Sequence, residues 1–366
     1  MNDELIYQIS LPLVPNIGDV HTRLLIQHFG DAASVFKAKH STLEKIEGIG
    51  TVRAASIKSF NDFSIAEKEL VFLDKFGIKK LFITDPGYPR RLLHCYDAPV
   101  LLFLKGDTEL NSARIVGIVG TRSASEYGKN ITDQMVEALA SHDVMIISGL
   151  ALGIDATAHK AALKHNLTTV GVVAHGLHTI YPNSNTHLAK EMVKNKGCLV
   201  TEFVSGTKPE KHNFPLRNRI VAGLCDAILV IETHYKGGSM ITAKLADSYN
   251  RDVFAVPGRI TDYKSSGCNY LVKNNKAQLI TEAEDLLTAM GWKEKNKKIK
   301  KQKELFVELS SEETSIFQLL EEKGPLSIDE INLTSGMSSS QTAAAILNLE
   351  LHAMIECLPG KVYRLV

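Results

Sequence analysis

The stretch Arg114–His159 constrains this chain most, because it switches twice between two hydrophobic periods. Ile115, Val116, Ile118 and Val119 form a short β-branched run that stops at Gly120-Thr121-Arg122-Ser123. From about Ser125 the apolar spacing becomes helical, through Ile131, Met135, Ala138 and Leu139. Residues 144–147 are a second apolar run, Ser148-Gly149 turns the chain, and Asp155 is placed to cap a helix containing Ala158, Ala161, Ala162 and Leu163. Two strand-turn-helix units in succession predict a parallel sheet covered by helices, with any ligand over the carboxyl ends of the strands.

The alternation continues beyond His159. Strands are expected at 169–173, 199–201, 227–231 and 253–256, with helices at about 184–196, 216–224 and 240–249. Upstream, a helix is expected at about 62–76 and an apolar strand at 100–104. The fold class that follows is α/β, a Rossmann-like doubly wound sheet spanning roughly 62–290.

Residues 1–61 are helical in pattern and carry two turn signals, Pro15-Asn16-Ile17-Gly18 and Ile46-Glu47-Gly48-Ile49-Gly50. The second resembles a helix-hairpin-helix turn, whose glycines let backbone amides face a phosphate. Only Arg53 and Lys58 follow it, so a packing role without nucleic-acid contact is the favoured reading. At the other end, Lys293–Lys303 holds seven lysines and one glutamate and reads as part of a solvated linker, 291–311. Residues 312–366 then show three helical stretches and two short strands around Leu358-Pro359-Gly360-Lys361, the order of a winged helix. Its third helix has no Arg or Lys, so protein docking or a structural role fits it better than reading a groove.

The 42 basic and 41 acidic residues nearly cancel, so any nucleic-acid site must be a local patch. Five cysteines stand singly at 95, 198, 225, 268 and 357, without a CxxC pair. This argues against a zinc site or disulfide framework, and for small buried hydrophobes in a reducing cytoplasm. The amino terminus lacks the pattern of a signal peptide, and no apolar run approaches the roughly 18 residues of a membrane span.

Four loops fall at strand carboxyl ends: Gly120–Ser123, Ser148–Ala151, Lys208–Arg219 and Gly237–Ser239. Glycine turns that open helices offer N–H groups to an anion, and Arg122 adds a fork suited to phosphate. The third loop interleaves Lys208, Lys211, His212, Arg217 and Arg219 with Phe214. Cations beside an exposed ring suit single-stranded nucleic acid, since the cations follow the backbone while a base stacks on the ring. For Arg217-Asn218-Arg219, packing with an internal ion pair remains the alternative. A dinucleotide fingerprint and a P-loop are both absent, so neither NAD nor ATP is expected as a cofactor. Asp155 and His159 share a helix face, but no third ligand stands at metal spacing, and a structural role is favoured.

VGTRSASEYG, SGLALGIDATAH, the stretch Gly176–Pro182, NFPLRNRIVAGL, GGSMITA and VFAVPG together resemble the ordered motifs of the bacterial DNA-processing protein A (DprA, also called Smf) family. The resemblance covers essentially the whole chain. It implies a non-enzymatic protein without cofactor or metal that binds incoming single-stranded DNA during natural transformation, protects it, and helps load the RecA recombinase. It also implies a homodimer formed through the Rossmann domain. Carried over by motif, the phosphate-gripping arginine is Arg122, and Lys211 and Phe214 precede Arg217, Asn218 and Arg219 at the pocket edge. With Gly120, Thr121, Ser123, Ser148, Gly149, Gly237, Gly238 and Ser239, these are the expected nucleic-acid-binding residues. Two positions depart from the family pattern: Gly237-Gly238 replaces a common Ser-Gly, and Lys276-Ala277 a usual Gly-Ala. The rival reading is a lysine-decarboxylase-like nucleotide phosphoribohydrolase, which needs a catalytic glutamate after the glycine turn; here Met240-Ile241-Thr242-Ala243 follows. A structural RecA-associated adaptor is a third reading.

Overall fold

The computed structural model describes residues 3–293, 309–352, 354–358 and 361–365, which form two compact units divided after Lys293. The lysine-rich run from 294 onward lies outside the described residues. No described helix is long and apolar enough to cross a membrane.

The first unit is built on a nine-stranded sheet. In chain order its strands are β1 (Lys79–Phe82), β2 (Leu101–Gly106), β3 (Ile115–Val119), β4 (Met145–Ser148), β5 (Thr169–Val172), β6 (Cys198–Thr201), β7 (Ala227–Val230), β8 (Asp252–Ala255) and β9 (Gln278–Leu279). Their spatial order is β1-β2-β6-β5-β4-β3-β7-β8-β9. From β6 to β9 all pairings are parallel, while β1 and β2 add an antiparallel edge. Strands β3 to β7 are buried at every position, which is why they read as unbroken apolar runs: helices cover both faces of the sheet. β1, by contrast, reads Lys-Lys-Leu-Phe and is half-exposed. Lysines on an edge strand deter further pairing and also hide it from a hydrophobicity pattern.

From β3 the chain winds outward through β4, β5 and β6, then returns to lay β7 against the other side of β3. That reversal opens a crevice at the carboxyl ends of β3 and β7, where ligands bind in open α/β sheets. The Thr121 amide donates to the Glu232 carbonyl across it at 2.7 Å.

The amino-terminal helices, among them Asp19–Phe29, Gly50–Ser59 and Ser64–Phe76, share one apolar cluster with Phe82, Leu101, Phe103 and Met192 of the sheet layer. Polar clips reinforce the join. Arg23 donates to the carbonyls of Leu93 and Cys95, both at 2.9 Å, and Glu69 accepts from the Ser205 amide at 2.8 Å. The helical segment therefore belongs to the same compact unit as the sheet. Its second turn has Gly48 and Gly50 in the left-handed region, at φ 85° and 63°. The two cations after it are occupied: Arg53 donates to the carbonyls of Asn16 and Gly48, at 3.2 and 3.3 Å, and Lys58 to that of Phe36 at 2.8 Å.

In the second unit the helices Ser311–Lys323, Ile328–Ser335 and Ser339–Leu351 each begin with a capping box, on Ser310, Ser327 and Ser338. They enclose Ile316, Leu320, Ile331, Ile346, Leu349 and Ile355 against a three-stranded antiparallel sheet in the winged-helix arrangement. Of the cysteines, Cys95, Cys198, Cys225 and Cys268 are buried, whereas Cys357 is exposed, contrary to the sequence expectation.

Candidate nucleic-acid interface

The four loops meet around one cleft of about 830 Å³ over the β3/β7 crevice. Gly120, Thr121, Arg122, Gly149, Lys211, Phe214, Arg217, Asn218, Gly237, Gly238 and Ser239 all line it. The helix that carries Phe214 begins at Asn213, not at Leu216, so Phe214 and Pro215 sit in its first turn. Helix geometry then returns Asn218, four residues on, to the face that bears Phe214.

Arg122 is exposed and has no carboxylate or carbonyl partner among the described residues. Its guanidinium carbon lies over the Phe214 ring, 5.2 Å from the centroid. Tyr181 also neighbours that ring, 6.0 Å between centroids and tilted by 56°. Tyr181 is held from behind by His175: the Tyr181 amide donates to His175 Nε2 at 3.1 Å, so Nδ1 carries the proton and donates to the Gly176 carbonyl at 3.0 Å. Burial lowers the His175 pKa and keeps the ring neutral for this task. Tyr181 escaped the sequence reading as a site residue, although an exposed aromatic before proline at the end of a strand-loop was a usable signal. Leu152 and Ile241 also border the cleft and were missed, as aliphatic loop residues give no such signal.

Arg217 is turned inward. Its Nη1 donates to the Gly149 carbonyl at 2.5 Å and to that of Val172, and Nε donates to Asn218 Oδ1 at 3.2 Å. Buried Asp155 accepts from the Gly149 and Ala151 amides at 3.1 and 3.4 Å. Asp155 is thus a tether for the preceding loop rather than the helix N-cap, a place taken by Gly153. Between them the two charges grip the Ser148–Ala151 turn from both sides. Burial brings the Arg217 pKa down to about 10 against the pull of Asp155, and raises that of Asp155 against the pull of Arg217. A Cβ at residue 149 would meet the Arg217 guanidinium at 2.5 Å, so a larger residue there would have to displace it.

Three expected residues lie elsewhere. Arg219 is 8% exposed and does not line the cleft; it binds Glu202, Asp19 (2.9 Å) and the Asp97 carbonyl, joining the helical segment to the sheet. An internal ion network, not phosphate, takes its charge. Burial holds the Glu202 carboxyl up at about 7, since one guanidinium serves two carboxylates. Ser148 is fully buried and donates to the Ile118 carbonyl at 2.6 Å. Ser123 is exposed outside the cleft, its amide 3.3 Å from Thr121 Oγ1.

The two helix N-termini at the crevice differ in kind. The helix Glu126–Ala140 is already capped by Ser125, whose hydroxyl accepts from the Gly128 amide at 3.0 Å, and Glu232 backs the cap, its carboxylate accepting from the Ser125 amide at 2.9 Å and its hydroxyl at 2.5 Å. A side chain at Gly128 would collide with that carboxylate. Where a nucleotide-binding sheet would seat a phosphate, this chain has placed its own anion. The helix Ser239–Ser248 remains open: Ser239 Oγ donates to Thr233 Oγ1 at 2.6 Å, while the Gly238 and Ser239 amides donate to no group among the described residues.

Among the described residues Asp155 is the one carboxylate lining the cleft, and its Oδ2 accepts from two backbone amides. His159 is wholly buried with Nδ1 2.7 Å from Thr169 Oγ1, and burial drives its pKa down to about 3, so it is a neutral core histidine. Among the described residues, one His/Asp/Glu trio stands within metal-ligating reach: Asp133, Glu137 and His165, whose Asp133 is bonded to Lys164 at 2.7 Å.

Residues 79–291 match the family description DNA recombination-mediator protein A, and residues 303–361 match the DprA winged helix domain. The chain is 37% identical to Protein Smf of Synechocystis over 298 residues, 79% of this chain and 73% of that protein. To the DNA processing protein DprA of Streptococcus pneumoniae it is 41% identical over 205 residues, 56% of this chain and 72% of that protein. Among solved structures it is similar to DNA processing protein A from Streptococcus pneumoniae, at a TM-score of 0.67 and 32% identity, over 79% of this chain and 98% of that one. It is also similar to DNA processing protein A from Helicobacter pylori, described for its single-stranded DNA binding mode, at a TM-score of 0.54 and 30% identity, over 59% and 96%.

Proposed function

Because the chain belongs to the DNA recombination-mediator protein A (DprA/Smf) family, we propose that its cleft binds single-stranded DNA in a DNA-processing role during natural transformation and recombination. The observation that carries this reading is the Arg122 guanidinium, without a carboxylate or carbonyl partner among the described residues, lying over Phe214, with Tyr181 beside the same ring. In this reading Arg122, Lys211 and the open amides of Gly238 and Ser239 hold phosphates, while bases stack on Phe214 and Tyr181. Arg217 and Asp155 set the floor, and Asn218 borders the strand. Stacking and backbone contact are tolerant of sequence, so little base preference is expected.

The reading is of a binder without catalysis. A phosphoribohydrolase of the kind weighed above needs a glutamate after the glycine turn; among the described residues the one carboxylate lining the cleft is Asp155, whose Oδ2 accepts from the Gly149 and Ala151 amides. Loading of the RecA recombinase and homodimer formation through the sheet-bearing unit complete the proposal, and both rest on the family resemblance. Competition between labelled oligothymidine and unlabelled single-stranded or duplex DNA tests the central claim. The single strand is expected to displace the label far better, and equal displacement by duplex would overturn it.

A further inference from the structure

Beside the central cleft, and sharing Gly237 and Ile241 with it, lies a second pocket of about 250 Å³ lined by Tyr235, Lys236, Met240, Lys244 and Tyr270. It follows one stripe of the helix Ser239–Ser248, since positions 237, 240, 241 and 244 recur at helical spacing. Its two rings, Tyr235 and Tyr270, meet edge to face with centroids 4.6 Å apart, and Tyr235 is 48% exposed. The Tyr235 amide, 3.3 Å from Ser266 Oγ, fixes the backbone beneath the ring.

Lys236 and Lys244 are exposed, and neither has a carboxylate partner among the described residues; the acid nearest in sequence to Lys244, Asp247, is taken by Lys276 at 3.1 Å. The pocket thus repeats, at smaller scale, the composition of the central cleft: unpaired cations around an exposed ring, continuous with the open end of the same helix. Resting on the reading of that cleft, we propose that this pocket is a second nucleotide subsite. It takes a base against Tyr235 and neighbouring phosphates on Lys236 and Lys244, and so sets the direction in which a longer strand leaves the cleft. An apolar peptide would leave both lysines without a counter-charge, whereas each further phosphate supplies one.

The test is binding of oligothymidines of graded length to the full chain, across a salt series, with wild type, Tyr235→Ala, Tyr235→Phe, the double variant Lys236→Ala/Lys244→Ala, and Arg122→Ala. Wild type is expected to gain affinity as the oligonucleotide grows past the length that fills the central cleft. The double-lysine variant should bind the shortest oligonucleotide normally but lose most of that gain, with its salt slope for long strands reduced by roughly 0.7 per lysine. Tyr235→Ala should weaken long strands by roughly tenfold while Tyr235→Phe retains them. Equal gain with length in variant and wild type would overturn the subsite, as would equal loss at all lengths. Arg122→Ala separates the two claims, because it should weaken every length. A wild-type chain that binds no oligothymidine of any length overturns the central reading and the subsite with it.

Discussion

Arg122 and Arg53 occupy similar places in the sequence, each just beyond a glycine-bearing turn near the head of a helix, yet the structure uses them oppositely. Arg53 folds back onto the carbonyls of Asn16 and Gly48, so the cation ties the two helical hairpins to each other, in keeping with the packing role the sequence favours for this turn. Arg122 has no such acceptor among the described residues, and the carbonyl of Gly149, which lines the same cleft, accepts from Arg217 instead. A cation after a glycine turn is therefore available to a ligand only when the protein has satisfied the surrounding carbonyls by other means. Buried Arg217 does this for the Gly149 and Val172 carbonyls of the cleft floor.

The sharpest way to break this contrast is to remove the residue that frees Arg122. Arg217→Ala should destabilise the chain by about 3–5 kcal/mol, because it leaves buried Asp155 uncompensated and strips the Gly149 and Val172 carbonyls of their donor. Urea unfolding measures the loss. Arg217→Lys should recover only part of it, since one ammonium cannot reproduce the planar fork that reaches two carbonyls and Asn218. A loss under 1 kcal/mol would mean that Arg217 is not the scaffold of the cleft.

The next largest effects belong to the cleft's exposed groups. Arg122→Ala should cost roughly 1.5–3 kcal/mol of single-strand affinity with the fold intact, and Phe214→Ala about 1–3 kcal/mol. Their salt responses should differ, since only the arginine variant removes a phosphate contact and flattens the slope, by roughly 0.7. The guanidinium lies over the ring, so the double variant should lose less than the sum of the two. Equal slopes in the two single variants would show the roles to be wrongly assigned.

What the sequence disclosed was whatever is written locally. Strands β3 to β8 are apolar runs between turn residues, and three of the four cleft loops hold a glycine turn beyond one, so the sheet, its crevice and the convergence of the loops were all legible. The fates of individual cations were not. Arg217 and Arg219 are two residues apart in one basic motif, yet their partners are Gly149, Val172, Glu202 and Asp19, residues brought near only by the closed fold. No periodicity reports which carbonyl will stand opposite a guanidinium. Edge strand β1 was hidden for a related reason, its lysines being chosen for what the strand must not pair with.

The smallest expected effect is the most direct check on the hairpin half of the contrast. Arg53→Ala should change single-strand affinity by less than about twofold and stability by about 1 kcal/mol, the worth of its hydrogen bonds to Asn16 and Gly48. Lys58→Ala should do the same on a smaller scale through Phe36. The comparison belongs at moderate salt, where a general loss of positive charge is screened and a specific contact is not. Removing the tie to Asn16 and Gly48 also frees two carbonyls, and these repel phosphate, so the variant cannot gain a site that hides the loss of one. If Arg53→Ala instead weakens binding as much as Arg122→Ala, the internal hydrogen bonds must give way when DNA arrives. The hairpin turn would then be a second phosphate contact held closed in the absence of ligand.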